Sequence, residues 1–96
     1  MLLHKSIDTV IQERLEEDAV RRTFSTRLDM TLKRKKLSSS RIARQLGVAV
    51  QHLQLWRAGV TVPTIRQVRR LSALLDVPMD WLCAVGEPKM AGLSVQ

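Results

Sequence analysis

The sequence predicts an all-α fold, and three observations predict it. Apolar residues recur every three or four positions along most of the chain, the period of a helix buried on one side. The strong helix formers Leu, Arg, Ala and Gln are frequent, against only 4 Gly and 3 Pro. Gly47, Gly59, Pro63, Pro78 and Gly86 stand between the apolar stretches, where helices start and stop. A chain of 96 residues suffices for one small domain with a modest core.

Leu3, Ile7, Ile11 and Leu15, with Val10 beside them, make the apolar stripe of a first amphipathic helix. Its other face, with Lys5, Asp8, Glu13, Arg14, Glu16 and Glu17, is solvated. No Gly or Pro follows it, and the soft point is residues 23–26, Thr-Phe-Ser-Thr, where a hydroxyl can cap a new helix. A second helix is therefore expected over residues 24–36, with Phe24, Leu28 and Leu32 inward. It ends in Lys33-Arg34-Lys35-Lys36, which either complements the negative end of the helix dipole or contacts phosphate. Ser38, Ser39 and Ser40 are candidate N-caps for a helix over residues 39–46, whose inner face is Ile42, Ala43 and Leu46. Gly47 suits the left-handed turn that ends it. Residues 50–58 form the next helix, anchored by Leu53 and Trp56 and stopped by Gly59. After a loop and cap at residues 62–64, Ile65, Val68, Leu71, Leu74 and Leu75 mark a further helix. Pro78 and Gly86 frame a short last one with Trp81 and Leu82 inside.

Charge is uneven. Residues 1–22 carry net −1 and residues 23–96 net +8, out of +7 for the whole chain. So basic a domain attracts polyanions, nucleic acid foremost; charge alone does not separate this from a merely well-solvated surface or an affinity for anionic membrane. Cys83 stands alone, which excludes an internal disulfide and a cysteine-based metal cluster and marks a buried core thiol. His4 and His52 are far apart, the serines have no evident base partner, and no Gly-rich phosphate loop is present. The inventory argues against an enzyme, a metal or a cofactor. No apolar run reaches the length of a membrane span, and MLLHKSID is too polar to open a signal peptide, so a cytoplasmic protein is expected.

Ala43, Gly47, Leu53 and Trp56 together answer one geometric problem. Two short helices crossing steeply need a small residue at the crossing, a left-handed turn and apolar anchors on the second helix. LSSSRIARQLGVAVQHLQLWRAGVTVPTIRQVRRLSALLDVPMDWL resembles the lambda repressor/Cro-like, or Xre-type, helix-turn-helix domain. The resemblance rests on Leu37-Ser38, Ile42-Ala43, Leu46-Gly47-Val48, Leu53, Trp56, Gly59, Pro63, Leu71, Leu74 and Asp80-Trp81-Leu82. It implies a five-helix domain over residues 23–86, preceded by an extra amphipathic helix over 1–22 and followed by a flexible tail over 87–96. It also implies a transcription regulator that binds double-stranded DNA, usually as a homodimer on a palindrome, with the second helix of the motif in the major groove.

Position by position, the resemblance assigns Val50, Gln51 and Leu55 to base edges, with His52 and Gln54 as neighbours. It assigns Ser38 and Ser39 to phosphate and brings the loop at residues 58–61, with Thr61, near the backbone. Arg41, Arg44, Arg57, Arg66 and the 33–36 run are the cations available to neutralise phosphate. The sequence departs from the family where Ser39 replaces a frequent Gln, and where Arg57 replaces a frequent Glu, adding a cation and removing a structural contact. Val50 and Leu55, usually polar, can pack on thymine methyl groups while Gln51 bonds adenine, which leans towards an A·T-rich half-site. In the alternative reading Val50 and Leu55, with Val60 and Val62, form an apolar patch for a protein partner, such as a toxin or co-regulator; in a third, Val50 packs against the turn and Leu55 under its neighbours. Leu3, Ile7, Ile11 and Leu15 pack on the chain's own domain, pair across a two-fold axis or dock a partner such as a toxin. No small-molecule ligand is expected.

Overall fold

The computed structural model describes residues 6–84, and these form six helices. They are α1 (Ile7–Leu15), α2 (Asp18–Lys35), α3 (Ser39–Leu46), α4 (Val50–Ala58), α5 (Ile65–Leu75) and α6 (Met79–Leu82). Leu3, the side chain of Ile7, Gly86 and the tail at 87–96 lie outside what is described.

α1 starts at Ser6, whose hydroxyl accepts the Thr9 N–H at 3.1 Å. It stops at Glu16, and α2 begins at once after Glu17 without a side-chain cap. The break thus falls earlier than residues 23–26, and the expected boundary between residues 22 and 23 lies inside α2. The hydroxyls expected to cap there bond back into the helix instead: Thr23 donates to the Ala19 carbonyl at 3.0 Å and Ser25 to that of Arg22 at 3.1 Å. Val20 is buried, so the inward stripe of Phe24, Leu28 and Leu32 extends one turn further back. α2 closes on Lys36 in the left-handed conformation, after three cations in its last turn.

α3 and α4 begin and end where sequence patterning puts them. Ser38 caps α3, accepting the Arg41 N–H at 3.1 Å, and Gly47 and Gly59 end α3 and α4 at a φ of 77°. Ala43 is buried at the crossing of the two helices. Thr64 and Gln67 form a reciprocal capping box at the start of α5.

One core joins all six helices. Leu15, Phe24, Leu28, Ile42, Leu53, Val68, Leu71 and Leu82 are among its most enclosed members. α2 lies centrally against α1, α4 and α6, while α3 packs on α4 and α5. Two expected inward residues sit further out: Leu74 is 38% exposed, and Trp81 is half-buried beneath the Arg27 guanidinium, 5.1 Å from its ring centroid. Cys83 is enclosed, and burial, followed by the charge of Asp80, pushes its thiol up to about 11. Among the described residues no helix is long and apolar enough to cross a membrane.

Candidate nucleic-acid interface

α4 turns one ridge outward and another inward. Leu53 and Trp56 are buried, and Val50 is half-buried against the core. Gln51, Gln54 and Leu55 are exposed, and helical spacing of three and four places them on one outward ridge. The two apolar positions therefore differ. Val50 braces the start of the helix, whereas Leu55 is 39% exposed. His52 is exposed too, but its ring stacks on Trp56 with centroids 6.4 Å apart, which draws it to the flank of the ridge. There His52, Leu55, Thr61 and Val62 border a hollow of about 340 Å³ between α4 and the start of α5. Thr61 is exposed, next to Val60, which is 62% exposed.

The phosphate candidates separate into free and engaged groups. Arg41 and Arg44 are exposed on α3 and have no carboxylate partner among the described residues. Ser38 uses an oxygen lone pair for its cap and keeps its hydroxyl proton for another acceptor. Arg57 is engaged: its Nε and Nη2 donate to Asp29 Oδ1 at 2.8 and 2.5 Å, and its Nη1 donates to Ser39 Oγ at 2.8 Å. Arg57 thus makes a structural contact of its own, to Asp29. The charge of Arg57 is partly offset within the fold by Asp29. Ser39 accepts from Arg57, so its own proton is available to an outside acceptor. Asp29 also binds Lys33 at 2.9 Å. The Lys33 bond first, and the Arg57 bond next, hold the Asp29 carboxyl below its ordinary value.

Arg70 has a role that sequence patterning missed. Its guanidinium donates to the carbonyls of Leu46 and Gln45 at 3.0 and 2.8 Å, satisfying the end of α3. Only the spatial approach of α5 to α3 reveals it. By contrast, Asp29 and Lys33 lie four apart on one helix, a spacing that flags an ion pair.

Ile11 and Leu15 are buried in the chain's own core. The expected stripe is thus covered at these two positions. Among the described residues no group of three or more His, Cys, Asp or Glu could hold a metal ion.

A family model described as helix-turn-helix matches residues 30–82, more than half of the chain. Comparison with curated proteins and with solved structures returned no significant match.

Proposed function

The chain belongs to the helix-turn-helix family, and from that premise we propose that it is a sequence-specific regulator of transcription. It binds double-stranded DNA as a homodimer, with α4 in the major groove, and acts as a small repressor of the lambda repressor/Cro-like, Xre type. The observation that carries this reading is the outward ridge of Gln51, Gln54 and Leu55, backed by the buried Leu53 and Trp56. A helix anchored in this way presents side chains to a groove without rotating.

Gln51 bonds an adenine through its amide, and Leu55 packs on a thymine methyl. Arg41, Arg44, Ser38, Ser39 and Thr61 contact phosphates and set the register. Arg57 acts indirectly, by holding Ser39. Ile11 and Leu15 are covered by the core, so neither pairs across a two-fold axis while α1 stays in place. The regulator is cytoplasmic, needs no cofactor and is not an enzyme.

A second reading is favoured by the exposure of Leu55 and Val60 beside the same hollow. In it this face takes a protein partner, such as a toxin or co-regulator.

Selection of bound duplexes from a randomised pool, at low and near-physiological salt, tests the proposal. Enrichment of an inverted repeat that survives the higher salt is the expected result. Binding that vanishes with salt and enriches nothing refutes DNA reading and turns attention to a protein partner at Leu55 and Val60.

A further inference from the structure

The link between α4 and α5 is tethered at both ends by residues outside the span that matches the family. At its start, Arg21 Nε donates to the Gly59 carbonyl at 3.0 Å. Ser25 stands against the same glycine, where a Cβ would lie 3.2 Å from its Oγ. At its end, the Ile65 N–H donates to Gln12 Oε1 at 3.1 Å, across from α1. Arg21, Ser25 and Gln12 all precede residue 30, where the family match begins.

α1 is itself fixed to the domain. Ile11 and Leu15 are buried, and Asp8 is ion-paired with Arg69 of α5. Gln12 therefore reaches the start of α5 from an anchored helix. Pro63 is enclosed and Val62 packs on the core, while Val60 and Thr61 face outward beside Leu55. The link is thus pinned at both ends and from beneath, and its outer edge borders the α4 ridge.

We infer that Gln12 and Arg21 are positioning residues for DNA binding: α1 and the first turn of α2 brace the 59–64 link so that Thr61 meets the DNA backbone already ordered. The inference rests on the DNA-binding reading above. Its physical basis is preorganisation. A link that must be ordered at the moment of binding loses affinity to conformational entropy, and a link tethered beforehand does not. Neither Gln12 nor Arg21 needs to touch DNA.

The test is a double-mutant cycle between Gln12 and Thr61, read by titration of a duplex that the wild-type chain has selected from a randomised pool. Gln12→Met keeps the side-chain length and removes the acceptor. It is expected to weaken binding roughly three- to tenfold, the factor for one net hydrogen bond, with helical content unchanged. In a Thr61→Ala background the same substitution is expected to cost nothing further, because the contact it positions is gone. Equal losses with and without Thr61 would make Gln12 a general stabiliser and overturn the inference. Wild-type binding that Gln12→Met leaves untouched overturns it as well. A wild-type chain that enriches no duplex overturns the DNA reading and this inference together.

Discussion

Asp29→Asn should tighten binding to DNA and make it more sensitive to salt. Asp29 shares its single negative charge between two cations, Arg57 through one carboxylate oxygen and Lys33 through the other. Arg57 also donates to Ser39, the proposed phosphate contact at the start of α3. Replacing the carboxylate raises the local net charge by one and leaves both cations able to turn to the duplex. Each further phosphate neutralised steepens the fall of log K with log salt by about 0.9. Over a fourfold rise in salt this is a loss of affinity larger by roughly 3.5-fold per contact. Arg44→Ala should do the reverse, making the slope shallower by about 0.9, because Arg44 has no carboxylate partner among the described residues. Arg57→Ala should flatten the slope less than Arg44→Ala does, since Asp29 already offsets part of its charge. The side chains of Arg57 and Asp29 are 23% and 30% exposed, so their pairing contributes about 1 kcal/mol after screening and the variants should remain folded. Fluorescence anisotropy of a labelled, selected duplex across a salt series gives all three slopes. An Arg57→Ala slope as shallow as that of Arg44→Ala, with Asp29→Asn like wild type, would refute the charge assignment.

Gly47→Ala and Gly59→Ala place the same strained φ on an alanine, at about 1 kcal/mol each. Gly59→Ala should cost more in urea unfolding, because only there does the new Cβ meet Ser25, and adding Ser25→Ala should remove the difference. The depressed Asp29 pKa stabilises the fold fully above the carboxylate's ordinary value of 3.8. That contribution is lost as pH falls from there through the folded value, so wild type should lose stability over this acid range more steeply than Asp29→Asn, as followed by circular dichroism. Cys83, enclosed and pushed up to about 11, should react with a thiol reagent at neutral pH only as fast as the chain opens. Prompt labelling of the native protein would contradict its burial.

The helix-turn-helix was legible because its determinants are local. Ser38, Ala43, Gly47, Leu53, Trp56 and Gly59 each act within a turn or two, and α3 and α4 appear at the expected residues. The start of α2 was misplaced because Thr23 and Ser25 can either cap a helix or bond back into one. The buried Val20 and the continuous inward stripe decide between these in the folded chain. The partners of Arg57 and Arg70, and the bonds from Arg21 and Gln12, were not legible. Each joins residues far apart in sequence, with no periodicity to connect them. The unequal fates of Val50 and Leu55 were also hidden, since both are apolar residues on one helix and only packing assigns one of them to the core.

The most direct measurement is duplex selection run in parallel on wild type and Gln51→Ala. If the outward ridge of α4 reads bases, the two should enrich the same inverted repeat except at one position in each half-site. There Gln51→Ala should lose roughly 1–3 kcal/mol of preference, with other positions and the salt slope unchanged. Identical preferences at every position, with wild type and variant binding equally, would mean that α4 does not read DNA through Gln51, and the central claim would fall.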